Sequence, residues 1–243
     1  MNGADASFER ILAIDASGAA CSAALWRRDV VIARRYRRMM RGHAEALMPM
    51  IVETMAEAGE SFRLLDAVAV TVGPGAFTGI RVGLAAARGI ALAAGIPAVG
   101  VTTFAAVAES VPESERGNRR LVVLLDSRRG DVFVQEFATS LRPARPPEIR
   151  APASFADDLA PERTILAGDG VALVRPHLTG AKLDVEFSSM DGPTDAAHVA
   201  VAAIRLLASG EALPARPLYL RAPDVRPADR EASAPDKIGP RRP

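Results

Sequence analysis

The chain has 243 residues, with 30 basic against 29 acidic side chains and a formal net charge of +1. That length holds one large domain or two small ones and buries a core without covalent staples. With 49% hydrophobic and 24% charged residues the chain reads as globular, which excludes low-complexity disorder for most of it, and the near-zero charge argues against a general nucleic-acid binder while leaving room for a local patch. A single cysteine, Cys21, excludes an intramolecular disulfide and a cysteine-built zinc site. His43, His177 and His198 have no HxxxH or HExxH spacing, so no metal site is expected, and a metalloprotease reading lacks its ligands. No segment has the uninterrupted apolar length of a membrane span, and Met1 to Arg10 does not read as a signal peptide, so a cytoplasmic location is expected.

In chain order, Arg10 to Ala16 is an apolar run with a polar tip at Asp15. Cys21 to Arg27 and Val30 to Tyr36 follow across Arg28-Asp29, which predicts a three-stranded antiparallel meander. His43 to Ala58 has apolar residues at helical spacing (Ala44, Leu47, Met48, Ile51, Val52, Met55), with Ala46 and Met50 off that face and Gly59 as the stop. A helix apolar on more than one side is buried or partnered. Asp66 to Val72 reads as a strand and Thr78 to Ala94 as a Gly- and Ala-rich helix. Pro97 to Val101 is a short strand, and Thr102 to Ser110 is helical with Thr102 or Thr103 as cap. After the polar stretch Pro112 to Asn118, a second strand pair follows at Arg119 to Asp126 and Asp131 to Ala138. Arg142 to Pro147 is a connector, Arg163 to Ala167 and Val185 to Phe187 are strands, and Asp195 to Ser209 is an Ala-rich helix capped by Asp195 or Thr194. From Pro214 seven prolines forbid regular structure.

A meander followed by strand–helix–strand crossovers is the RNase H-like order, and the second half repeats it in weaker form. The fold class expected is therefore α/β, with two RNase H-like (actin-like ATPase) lobes whose mixed sheets are flanked by helices. The division expected is 1–104 for the first lobe, with helix 195–209 able to pack back onto it, then 105–222 for a reduced second lobe and 223–243 for a flexible Pro/Arg-rich tail.

Val70 to Leu84, VTVGPGAFTGIRVGL, places a glycine-rich loop between a strand and a helix. It lacks the lysine of a P-loop, its Gly73, Gly75 and Gly79 are spaced one residue too long for a dinucleotide fingerprint, and Ala76 removes a nucleophile elbow. Two uses remain. Gly73 and Gly75 permit a tight turn into a buried helix capped by Thr78, or free amides at the helix start hold an anion. Gly79, Gly83 and Ala87 recur every four residues as a smooth face for close helix contact. Asp15 and Asp126 each end the first strand of a half, where they either cap turns or, with Ser17, Gly73, Gly75, Thr78 and Arg129, stand near a phosphate. The second option is that of a stand-alone actin-fold ATPase or kinase. Seven arginines between Arg27 and Arg41 against one acid, Asp29, make a patch able to meet phosphate or simply a solvated hairpin, with only Trp26 and Tyr36 for base stacking.

The stretch GPGAFTGIRVGL (73–84) resembles the GPGSFTGxRVGL signature of the TsaB (YeaZ) family. ILAIDASGAACSAAL (11–25), HAEALMPMI (43–51), DSRRGDVF (126–133) and PLYLR (217–221) resemble that family's other segments in order and spacing, so the likeness spans residues 10 to 221. Ala16, Ala76, Ser127 and Phe133 depart from its usual Thr, Ser, Ala and Tyr. The resemblance implies a non-catalytic, actin-like scaffold subunit for synthesis of threonylcarbamoyladenosine at adenosine 37 of tRNA. It implies binding to TsaD, with TsaE and ATP in the larger complex, a second copy as partner when TsaD is absent, no cofactor or metal of its own, and tRNA contact only through the complex. It further implies that the helix at 43–58 and the glycine-rich helix form the partner interface, through His43, Leu47, Met50, Ile51, Thr54, Gly79, Arg81, Gly83 and Ala87.

Overall fold

A computed structural model describes residues 8–155, 159, 163–178 and 184–221. The expected tail at 223–243 lies outside the described residues. In chain order the elements are β1 (Arg10–Asp15), β2 (Ala20–Arg27), β3 (Val30–Arg38), α1 (His43–Ala58), β4 (Ala67–Gly73), α2 (Phe77–Ala94), β5 (Ala98–Thr102) and α3 (Thr103–Ser110). They continue with α4 (Glu113–Arg116), β6 (Arg120–Asp126), β7 (Val132–Phe137), β8 (Glu148–Arg150), β9 (Thr164–Ala167), α5 (Val171–Val174), β10 (Val185–Phe187), α6 (Ala196–Ala208) and β11 (Leu213–Pro214).

The first sheet runs β11-β5-β4-β1-β2-β3 and the second β10-β9-β6-β7-β8. In the first, β1, β2 and β3 pair antiparallel while β1, β4 and β5 pair parallel. In the second, β6, β7 and β8 pair antiparallel while β6, β9 and β10 pair parallel. The order 3-2-1-4-5 thus occurs twice, which is the RNase H-like topology in both lobes. The second copy is thinner: α5 between β9 and β10 is a single turn, where α2 between β4 and β5 has 18 residues.

Strand alternation builds two layers on the first sheet. Leu12, Ile14, Val68, Val70 and Val72 face α1 and α2, with Leu47, Ile51, Met55, Ile80, Leu84 and Ala87. Each large side chain fully buried there is worth about 1.5–3 kcal/mol. Ile11, Ala13, Ala67 and Ala69 face α3 and α6, where alanines on both sides let the Ala-rich α6 approach closely. The described chain therefore returns to the first sheet after the second lobe: α6 covers one face, β11 pairs antiparallel with β5, and the Leu218 amide donates to the Val72 carbonyl at 2.8 Å. Two ends differ from the sequence expectation. Pro214 sits within a bridge because β11 is an edge strand, where a missing N–H is tolerated. The helix expected from Thr78 starts at Phe77 with Ala76 as cap residue and no side-chain cap bond, so Thr78 is not the cap. Thr102 and Asp195 do cap α3 and α6 by accepting from Ala105 N–H and Ala197 N–H. Among the described residues α2 alone has the length and apolarity of a membrane-crossing helix, and it packs six residues against the sheet.

Candidate functional site

A cleft of about 720 Å³ separates the lobes, lined by the loop after β1, the start of α1, the glycine loop, the β6–β7 turn and the segment before α6. Ser17, Gly75, Thr78, Asp126 and Arg129 line it, together with His43 and Gly79, whereas Gly73 and Asp15 do not.

Asp15 shares the strand parity of Ile11 and Ala13, so alternation turns it to the α3/α6 face, where it is fully buried directly behind the cleft-lining Ser17. Its Oδ1 accepts from Ser17 N–H at 3.1 Å, Ser17 Oγ at 2.7 Å and Thr71 Oγ1 at 2.6 Å, while Oδ2 is buried without a partner. Burial pushes its carboxyl pKa up, the three hydrogen bonds oppose this, and the charge of Asp195 adds to it. An acid so enclosed is a poor ligand for a metal–phosphate group in the cleft. Thr71 had a sequence signal, as the one polar side chain within the buried run AVAVTVG.

The glycines of the loop serve close backbone approach. A Cβ on Gly75 would lie 2.2 Å from the Ser17 carbonyl oxygen, and one on Gly79 1.9 Å from that of Ala16. Gly73 has φ 116° and packs under the Leu218 carbonyl. The Ala76 amide donates to Ser17 O at 2.7 Å. The chain's own backbone therefore fills the space against which a phosphate would be cradled by Gly75 and Gly79.

Across the cleft, the Asp126 amide donates to Asp169 Oδ1 at 2.9 Å, and Arg128 bridges the two carboxylates, at 3.1 Å to Asp126 and 3.0 Å to Asp169. Burial raises the Asp169 carboxyl pKa, opposed by the Asp126 amide and by Arg128. Among the described residues no group of three or more His, Cys, Asp or Glu is placed to hold a metal ion. His43 ties α1 to the loop after β1, with Nε2 3.1 Å from Gly18 O.

Most of the residues expected at the partner interface are committed to the chain's own core. Leu47, Met50, Ile51 and Thr54 of α1 are buried on the sheet, and Thr54 Oγ1 donates to Met50 O at 2.8 Å. Gly83 faces Val70, Ile14 and Ala16, and Gly79 and Ala87 share that buried side of α2. The α1 expectation is out of phase: Ala46 and Met50 are inside, whereas Met48 and Val52 are 44% and 53% exposed. Two favourable side chains per turn left the sequence pattern undecided about which side faced in. Of the expected set Arg81 alone is exposed, with its guanidinium 3.5 Å over the Phe77 ring and Nε donating to Tyr219 Oη at 3.1 Å. Phe77 and Arg81 stand four apart on α2, but Tyr219, whose ring stacks on Phe77 at 5.7 Å, is remote in sequence, so its part in the cluster carried no signal short of the fold.

The face that remains open is the outer side of the helix pair. Glu53 and Glu57 pair with Arg35 of β3 on one flank of α1, so Ala44, Met48 and Val52 lie on the flank toward α2. Arg81 and Arg88 reach Tyr219 and Ala215 O on the far flank of α2, with Ala85 and the 85% exposed Leu92 one turn from them on the same side, so Val82, Ala86 and Gly89 turn toward α1.

A family model described as TsaD, tRNA N6-adenosine threonylcarbamoyltransferase, matches residues 37–207. The chain is 36% identical over 128 residues to the tRNA threonylcarbamoyladenosine biosynthesis protein TsaB of Escherichia coli, a match covering 53% of this chain and 54% of that protein. The match thus spans about half the length of that curated relative. An uncharacterized protein of Mycobacterium tuberculosis is 31% identical over 220 residues, 89% of this chain and 94% of that one. Among solved structures, YeaZ from Pseudomonas aeruginosa superposes with a TM-score of 0.75 at 28% identity, covering 87% of this chain and 100% of that chain.

Proposed function

The chain belongs to the TsaB (YeaZ) family, and from that premise we propose that it is the non-catalytic, activating subunit of a tRNA threonylcarbamoyltransferase complex. In this reading it acts in the cytoplasm, binds TsaD through the outer side of α1 and α2, and admits TsaE and ATP to the assembled complex. The transfer chemistry and the metal reside on TsaD, and this chain orders the active assembly that modifies adenosine 37.

The observation that carries the reading is the open apolar face of the helix pair. Ala44, Met48, Val52, Ala85, Gly89 and Leu92 place small and flexible apolar side chains on the exposed sides of adjoining helices, with Glu45 one turn from Met48 and with Arg81 and Arg88 one turn from Ala85 and Leu92. Small residues let two further helices approach, and methionine adapts to the partner's shape. A stand-alone ATPase would need Asp15 or Asp126 free to hold a metal–phosphate group. Asp15 is fully buried behind Ser17, with Oδ1 taken up by Ser17 and Thr71, and Asp126 is held by Arg128, which does not favour that reading.

The test measures ATP turnover and threonylcarbamoyl transfer by this chain alone, by TsaD with TsaE, and by all three. Activity confined to the full mixture, and lost with Met48→Glu and Val52→Glu while those variants melt like the wild type, is the expected result. Turnover by this chain alone, or partner capture unaffected by both substitutions, overturns the reading.

A further inference from the structure

The arginine run between Arg27 and Arg41 is divided by the fold into two sets. Arg27 pairs with Glu60 at 2.8 Å and Arg28 with Glu9 at 3.1 Å. Arg34 donates from Nε to Asp195 at 2.7 Å, and Arg35 pairs with Glu57 and, at 3.7 Å, with Glu53. Arg37, Arg38 and Arg41 have no carboxylate partner among the described residues. The first set ties the β2–β3 hairpin to its neighbours, and the second leaves three positive charges within five residues uncompensated.

The uncompensated three stand together at one end of β3, the outer strand of the first sheet. Arg37 and Arg38 lie opposite Cys21 and Ala20, beside the loop that enters the cleft. Alternation sends Arg37 to the α1 side and Arg38 to the α6 side, where its Nη2 is 3.2 Å from the position a Cβ on Gly192 would take. Arg41 and Gly192 both line the cleft. The first turn of α2, which carries no acidic residue, opens into the same cleft, and Arg128 and Arg129 stand on the wall opposite. Glu45, Asp126 and Asp169 also line it, the last two bridged by Arg128. At this corner Trp26 is buried and the Tyr36 ring is covered by Arg34 at 5.3 Å, while of the cleft's own rings, Phe77 and Phe133, Phe77 is already stacked on Tyr219 and covered by Arg81.

We infer that Arg37, Arg38 and Arg41 form a contact for the phosphodiester backbone of the RNA substrate at the edge of the cleft. The inference rests on the tRNA-modifying role proposed above and adds that this chain itself touches the RNA. Cations without counter-charges repel one another, and an RNA backbone supplies the missing anions while releasing its own counterions. With no free aromatic ring at the corner, the contact reads charge and spacing and not base identity. The remaining arginines of the run are excluded because their carboxylate partners already neutralise them.

The experiment follows fluorescence anisotropy of a labelled, unmodified tRNA transcript with the chain alone and with the chain plus TsaD, between about 50 and 200 mM salt. The triple variant Arg37→Gln/Arg38→Gln/Arg41→Gln is compared with Arg37→Lys/Arg38→Lys/Arg41→Lys and with Arg27→Gln/Arg28→Gln. The glutamine triple is expected to bind roughly tenfold or more weakly and to lower the slope of log affinity against log salt by about 2–3, one phosphate contact per arginine. The lysine triple is expected to keep the slope, and the Arg27/Arg28 double variant to bind as the wild type does. Equal binding by wild type and glutamine triple overturns the inference. So does an equal loss in the double variant, which would mean bulk charge, or no binding of the transcript at the lowest salt. If TsaD does not associate with the chain, the proposed function fails, while the anisotropy of the isolated chain still decides the RNA contact.

Discussion

Gly79 packs against the carbonyl oxygen of Ala16 so closely that a Cβ there would lie 1.9 Å from it. The obstacle is backbone at the end of β1, which has no rotamer to change. Gly79→Ala is therefore expected to destabilise the isolated chain by about 3 kcal/mol, the upper end of overpacking penalties. Gly89, on the same helix, meets nothing within 4 Å of a built Cβ, so Gly89→Ala is expected to stabilise by about 0.5–1 kcal/mol through helix propensity alone. Urea melts of the two variants test the pair, and equal shifts in both would contradict the packing argument.

The methionines of α1 divide in the same way. Met50 is 8% exposed within the sheet-facing core, whereas Met48 is 44% exposed. Met50→Glu buries a carboxylate without a partner and is expected to cost about 3 kcal/mol or more, while Met48→Glu stays within about 0.5 kcal/mol. Thermal melts with circular dichroism distinguish them. A folded Met50→Glu protein with wild-type stability would mean that α1 is rotated from the orientation described.

The strand order and the repeated lobe pattern are legible in the sequence because each follows from local periodicity: RILAID ends in a polar tip, and the meander and crossovers succeed one another at short intervals. The glycine loop is legible as a loop. What Gly75 and Gly79 touch is not, since Ala16 and Ser17 come near them only once β1 and β4 pair. The rotation of α1 is illegible for a related reason: Ala46 and Met50 form as good an apolar stripe as Met48 and Val52, and the ion pairs of Glu53 and Glu57 with Arg35 help to decide between them. The return of the chain to the first sheet through β11 is hidden because Leu213 and Pro214 make so short a strand and their partner β5 lies far back in sequence.

Asp15 makes the stability of the chain depend on pH with an unusual sign. Burial raises its folded pKa above the ordinary 3.8, so the folded state holds its proton more tightly than the unfolded state does. The stabilisation from this group is present below pH 3.8 and is lost as pH rises through the folded pKa. Glu60, held down chiefly by its hydrogen bond from Arg27, and Glu115, held down chiefly by Ser188, act oppositely and lose their contribution as pH falls. Asp15→Asn keeps an acceptor for Ser17 and Thr71 and cannot ionise. Denaturant melts from pH 4 upward to pH 8 are expected to show wild type gaining on the variant toward the lower pH. A difference independent of pH would place the Asp15 titration at its unfolded value.

Asp195 carries two interactions that substitution separates. Oδ1 accepts from Ala197 N–H at 2.8 Å and caps α6, and Oδ2 accepts from Arg34 Nε at 2.7 Å, tying the edge strand β3 to that helix. Asp195→Asn retains the cap and loses the charge, so the loss expected is about 1 kcal/mol, limited by the half-exposed Arg34. Asp195→Ala loses both and is expected to cost about 2–3 kcal/mol. His198 supplies an independent readout. Burial lowers its pKa, the charge of Asp195 opposes that shift, and the charge of Arg34 reinforces it. Removing the Asp195 carboxylate leaves Arg34 uncompensated beside the imidazole, so both variants should titrate His198 at lower pH than the wild type. Proton NMR of the imidazole measures this directly, and an unmoved titration in both variants would show that Asp195 and Arg34 do not sit against His198 as described.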